Sequence, residues 1–203
     1  MSLFRKIFGF KSENKDEELI KSNERGKYMP EIKLPIDERF TINFKANGGK
    51  FLYCENLDEI FQNLQNILVE NQWENKNVLV LDDQLESKFK GSSLQSTRKI
   101  SDATFFLTTC ENLIANDGSL LISSKQIFEK KLRELPFNFI VFATTSQIVE
   151  SIGEGLRVIK SKSRQKIPTN ITTIKHFKSV DEKDFLSYGS SAKNLYLLLL
   201  EDL

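Results

Sequence analysis

Thr144, Thr145 and Ser146 directly follow Phe139-Ile140-Val141-Phe142-Ala143, a run with the length and composition of a buried strand. Hydroxyls placed there, together with the free N–H groups of a following helix, could bind a carboxylate or a phosphate. They are equally suited to capping that helix, which needs no ligand. Two further groups sit at comparable points. Asp82 and Asp83 end another apolar run, and Asp117-Gly118-Ser119 forms a turn leading into a third. In open parallel sheets, ligands collect outside the carboxyl ends of strands. That rule makes Asp82, Asp83, Asp117, Gly118, Ser119, Thr144, Thr145 and Ser146 the ligand-binding candidates.

Other chemistries are poorly supplied. His176 is the only histidine, so a Ser-His-Asp triad could use no other imidazole. It falls at the end of a predicted strand, close to Lys175 and Lys178, where a surface position is expected. Cys54 and Cys110 are the only cysteines, and they stand far apart. They form neither a disulfide framework nor a thiolate cage for zinc or iron–sulfur, and reduced thiols in the cytoplasm are the simple reading. Gly153-Glu154-Gly155 lacks the third glycine of a dinucleotide fingerprint and does not directly follow a strand. No cofactor is evident, and no metal site is expected.

The elements that must position these residues can be read from periodicity. Asn47-Gly48-Gly49 is a turn signal before a first strand, Lys50–Cys54. Ile60, Phe61, Leu64, Ile67 and Leu68 recur at helical spacing, which predicts an amphipathic helix over 58–71. Further strands are expected at 77–81, 104–107, 119–123, 139–143, 171–174 and 194–200. Thr144 and Gln147 have capping-box spacing, which predicts a helix starting there and running to about Lys160. Several strands are continuous apolar runs, as in strands covered on both sides. The expectation is an α/β fold, a largely parallel sheet with helices on both faces.

The chain has 203 residues, enough for one domain with a tail. Net charge is +1, which does not call for nucleic acid as a partner. No apolar run is long enough to span a bilayer. The N-terminus has no signal-peptide core, because Arg5 and Lys6 interrupt it, and Ser2 stands where myristoylation needs glycine. A cytoplasmic location is expected. Leu3, Phe4, Ile7 and Phe8 would share one face of a short helix, and Lys11 to Lys33 is a mixed-charge run. Residues 1–35 are therefore read as a charged flexible tail, and 36–203 as the domain. The opening helix is either a loosely packed terminus or a contact for a partner or an anionic membrane surface.

From Ala103 onward the chain resembles the LUD-domain family. The resemblance is carried by Cys110-Glu111-Asn112-Leu113-Ile114-Ala115-Asn116-Asp117-Gly118-Ser119, by Leu135-Pro136-Phe137-Asn138-Phe139, by Ser146-Gln147-Ile148-Val149, and by Tyr188-Gly189-Ser190-Ser191-Ala192-Lys193-Asn194-Leu195. It implies a NagB/RpiA/CoA-transferase-like fold and a link to lactate utilisation beside iron–sulfur partner proteins. Two family segments differ here. Ile174–Glu182 stands in place of a Gly-Pro-Ser-Arg-Thr-Ala-Asp-Ile-Glu run, and Gly189–Ala192 in place of a Gly-x-His-Gly-Pro loop. CoA transferases of this broad fold attack a thioester with a glutamate, which makes Glu111 the catalytic candidate. Leu113 follows Glu111-Asn112 where that chemistry expects glycine, so a solvated or capping glutamate is the competing reading. Three functions remain open: an accessory or ligand-binding component of a lactate-utilisation-type redox pathway, a CoA-transferase or sugar-phosphate isomerase enzyme, and a non-catalytic adaptor.

Overall fold

The structure is a computed structural model that describes residues 34–92, 94–163, 167–177 and 192–202. The expected N-terminal helix and linker, and the loop at Tyr188–Ser191, lie outside the described residues.

In chain order, the described elements are helix α1 (Ile36–Ala46), strand β1 (Lys50–Cys54), α2 (Leu57–Glu70), β2 (Asn77–Leu79), α3 (Asp83–Lys88), β3 (Gln95–Thr97), β4 (Phe105–Thr109), β5 (Asn112–Ile114), β6 (Ser119–Ile122), α4 (Ser124–Ile127), β7 (Asn138–Thr144), β8 (Ile148–Val149), α5 (Ile152–Lys162), β9 (Thr172–Ile174) and β10 (Asn194–Leu200). Six strands form one sheet in the order β1-β10-β7-β4-β2-β3, and every pairing in it is parallel. All six carboxyl ends therefore lie along one edge. This is the α/β architecture the apolar runs predict.

One face of the sheet packs on α2, whose Ile60, Leu64, Ile67 and Leu68 share a core with Val78, Phe105, Leu107, Ile140, Phe142, Tyr196 and Leu198. Asn56 starts α2 by accepting a hydrogen bond from the Glu59 backbone N–H. Trp73 lies nearly flat on Phe105, with ring centroids 4.9 Å apart. The opposite face is closed in part by α1, whose Phe40 and Phe44 are wholly buried and stack at 5.4 Å. A second sheet of four strands accompanies the first.

That second sheet, in the order β8-β5-β6-β9, differs from the expectation of a single sheet. The predicted strands at 119–123 and 171–174 belong to it, and they pair antiparallel. Leu113 and Leu120 face each other across β5 and β6, while Ile114 and Leu121 turn to the other side and pack on Val149 of β8 and Ile159 of α5. Gly155 lets α5 approach closely, since a Cβ there would lie 3.1 Å from Leu121 Cδ2.

The predicted helix from Thr144 to Lys160 is corrected. A single 3-10 turn, Thr145–Gln147, is followed by β8, and α5 begins only after Ser151, whose hydroxyl accepts from the Glu154 N–H. The β-branched pair Ile148 and Val149 aligns with Leu113 and Ile114 of β5, so strand pairing takes the place of the first helical turn.

Candidate functional site

The carboxyl edge of the large sheet carries most of the polar groups that the sequence singles out. It presents Glu201 and Asp202 after β10, Thr145 and Ser146 after β7, Cys110 and Glu111 after β4, Asp82 after β2, and Arg98 after β3.

The cradle at Thr144–Ser146 exists, and the protein's own Asp202 fills it. Thr145 Oγ1 and the Ser146 N–H donate to Asp202 Oδ1 at 2.9 and 2.8 Å, and Ser146 Oγ donates to Oδ2 at 2.6 Å. The Asp202 N–H donates back to Thr145 Oγ1. Burial alone would raise the Asp202 pKa, but the hydrogen bonds from Ser146, Thr144 and Thr145 outweigh it and hold the pKa at about 2. The anion expected here is thus part of the chain. Asp202 was not among the sequence candidates. The signal that finds it is its position two residues beyond a strand parallel to β7.

Gln147 ties this corner to β4. Its Oε1 accepts from the Thr144 N–H at 2.8 Å, and its Nε2 donates to the Cys110 carbonyl at 2.6 Å. The Cys110 thiol is buried, and its desolvation together with nearby Glu111 pushes its pKa far up, which leaves it unreactive. Glu111 itself is clamped. Its Oε1 accepts from Ser123 Oγ at 2.6 Å and from Gln126 Nε2 at 3.4 Å, with Lys125 Nζ at 3.8 Å. Ser123 and Gln126 also form the capping box of α4, so Glu111 completes a helix cap.

The aspartates after β2 part company. Asp82 caps α3 by accepting from the Gln84 and Leu85 N–H groups at 2.8 and 3.3 Å. Asp83 instead faces a cleft of about 400 Å³ walled by Val80, Phe89, Leu94 and Leu107, with Glu86, Ser87, Lys90 and Ser96 at its rim. Arg98 donates to both Asp83 and Glu86, and Ser96 Oγ donates to Glu86 as well. Glu86, Ser87, Lys90, Ser96 and Arg98 were missed by the sequence reading. The Asp83-x-x-Glu86 spacing, which sets both carboxylates on one helix face, was the available signal.

Asp117, Gly118 and Ser119 lie elsewhere, at the hairpin between β5 and β6 on the side of the amino ends. Asp117 Oδ1 accepts from Ser119 Oγ at 2.6 Å, Asn47 Nδ2 donates to the Asp117 carbonyl at 2.7 Å, and Lys175 Nζ stands 3.7 Å from Oδ2. Gly118 has φ +68° and presses on α1, where a Cβ would lie 2.4 Å from the Phe44 nitrogen. These residues join α1 to the hairpin, and the structure does not bring them to the other candidates. His176 is exposed. Among the described residues no cluster of His, Cys, Asp and Glu could hold a metal ion, and no helix is long and apolar enough to cross a membrane.

A parallel sheet with polar loops along its carboxyl edge and a second, mixed sheet beside it defines an α/β domain of a recognisable class. The LUD domain family model matches residues 38–200, and the chain belongs to that family. A crystal structure of a DUF162 family protein from Deinococcus radiodurans shares the fold. It superposes with a TM-score of 0.58 at 14% identity, over 85% of this chain and 100% of that one. No curated protein matches the chain. The family links the protein in general terms to lactate utilisation.

Proposed function

We propose that this LUD-domain protein is an accessory, ligand-binding component of a lactate-utilisation-type redox pathway, and that it works beside iron–sulfur subunits without carrying electrons itself. The observation that carries this reading is the state of Glu111. A thioester-attacking carboxylate must be open to its substrate. Here the side chain is nearly covered, at 12% exposure, and its Oε1 completes a helix cap with Ser123 and Gln126. The Thr145–Ser146 cradle, whose donors are engaged by Asp202, is not the ligand site of this reading.

The test has two arms. The intact protein, purified with the iron–sulfur lactate-utilisation subunits of its own organism, should co-elute with them at stoichiometric ratio. Incubated with acyl-CoA donors and carboxylate acceptors, it should give no turnover. A covalent adduct mapped to Glu111 would reverse the assignment in favour of a CoA-transferase-type enzyme.

A further inference from the structure

We infer that the cleft between α3 and the carboxyl ends of β2 and β3 is a binding site for a small organic anion with an apolar body, of the aliphatic monocarboxylate class. The inference rests on the ligand-binding half of the reading above and assigns it a place and a chemistry.

The cleft's apolar side argues for an apolar body. Val80, Phe89 and Leu107 close its floor from within the core, and half-buried Leu94 presents the apolar surface. A cavity of about 400 Å³ falls within the range of small-molecule sites, and such sites pair an apolar wall with a few oriented polar groups.

The rim decides the charge. Its two carboxylates are occupied: Glu86 accepts from Ser96 and from Arg98, and Asp83 accepts from Arg98. The guanidinium between them offsets one of the two negative charges and the Lys90 ammonium the other, so the rim does not repel an anion. Lys90 differs from these groups. Its ammonium has no hydrogen-bond or ion-pair partner among the described residues, and neither does the Ser87 hydroxyl three residues before it, near the end of α3. The cation and the hydroxyl left at the mouth are donors, which fits a carboxylate at the rim with its chain laid on Leu94. The position also obeys the rule for open parallel sheets, since the cleft lies at the carboxyl ends of adjacent strands.

The probes are straight-chain monocarboxylates from butanoate to decanoate, titrated calorimetrically into the full chain. Affinity should rise about fourfold per added methylene until the cleft is full. Lys90→Met should weaken octanoate binding by about tenfold or more, the cost of one charge-assisted hydrogen bond. The same change should abolish the preference for octanoate over 1-octanol. Ser87→Trp, which fills the mouth from an exposed position, should block binding altogether. Lys125→Met, which lies away from this cleft, should change nothing. Octanol binding as tightly as octanoate, indifference to Lys90→Met, or no saturable binding below about 10 mM (a free energy too small for a built site) would each overturn the inference. Ligand titration and subunit capture are separate measurements, so a failure of this site and a failure of the pathway assignment give different results.

Discussion

Among the described residues, the polar groups at the amino ends of β7 and β10 are mostly buried and bonded within the protein, whereas several at the carboxyl ends are exposed. Lys193, just before β10, illustrates the first kind. It is 4% exposed, and its Nζ donates to the carbonyls of Leu135 and Pro136 at 3.1 and 3.0 Å while lying 5.0 Å from the Phe139 ring centroid. The hairpin turn at Asp117-Gly118 and the Asn47 turn are stitched together on the same side. At the other edge Asp202, Gln147 and Glu111 form local networks that reach solvent, and Lys90 stands unpaired. Polar groups at the amino edge hold elements together. Those at the carboxyl edge are partly self-satisfied and partly left available, and the available part lies at β2 and β3.

The largest expected effect falls at the amino edge. Gly118→Val places a β-branched residue at φ +68°, with its Cβ 2.4 Å from the α1 backbone. The cost should be roughly 4 kcal/mol or more, a large share of a typical domain's stability. Little folded protein should be recovered. Gly91→Ala is the control, since nothing lies within 4 Å of a Cβ there, and its thermal midpoint should match the parent.

Lys193→Ala should come next, at about 3 kcal/mol in urea denaturation, because it unpairs two carbonyls and opens a void. Its pH signature separates it from a generic core defect. Burial pushes the Lys193 pKa down from 10.5 to about 8. Between those values the unfolded chain binds the extra proton, so this group makes the folded state more stable as pH climbs from about 8 towards 10.5. Lys193→Ala should lose that rise. A parallel pH slope in the two proteins would mean the ammonium does not feel its burial.

How far these differences were legible in the sequence depends on the length of each element. β1, β7 and β10 contain continuous apolar runs of four to six residues, and their bounds follow from composition to within one residue. β3, β5 and β8 have two or three residues each, too short for any periodicity, and exist because a neighbour pairs with them. The Thr144–Gln147 capping box was legible as a hydrogen-bond pattern, and Gln147 does bond the Thr144 N–H. That it caps one 3-10 turn instead of a helix was settled by β5, more than thirty residues earlier in the chain. The occupancy of the Thr145–Ser146 cradle was hidden for a similar reason. Asp202 stands 57 residues away from Thr145 and reaches it only because β10 and β7 are neighbours in register. Gly118 was legible, because Asp-Gly before an apolar run signals a positive φ.

At the carboxyl edge the effects should be smaller, since water can replace much of what is lost. Asp202→Ala removes three acceptor contacts from an exposed carboxylate and should cost about 1 kcal/mol after allowance for solvent. The pKa held down to about 2 means the Asp202 contribution is present above about 4 and fades as pH falls towards 2. Parent and variant should therefore differ in stability at pH 6 and converge near pH 2. A difference that persists unchanged at pH 2 would show that the contact does not depend on the charge.

The smallest effect is expected of Glu111→Gln, and there the contrast between holding and reacting is sharpest. Glu111→Gln keeps an Oε1 that can still accept from Ser123 at the observed 2.6 Å, so the cap of α4 survives. What disappears is the attraction to Lys125, which stands 3.8 Å away and is half exposed; a pair of that kind contributes about 0.5 kcal/mol or less. Glu111→Ala, by contrast, removes the closer of the two acceptors of the buried Ser123 hydroxyl, leaving only Gln126 Oε1 at 3.1 Å, and should cost about 1 kcal/mol. A structural glutamate thus gives Gln close to wild type and Ala well below it in stability, with no change in any acyl-transfer assay. A catalytic glutamate gives the opposite order of importance: Gln and Ala both abolish acyl transfer, because neither carries a carboxylate to attack the thioester. Thermal melts and acyl-CoA assays on the same two variants decide between these patterns, and the hydrogen bond from Ser123 predicts the first.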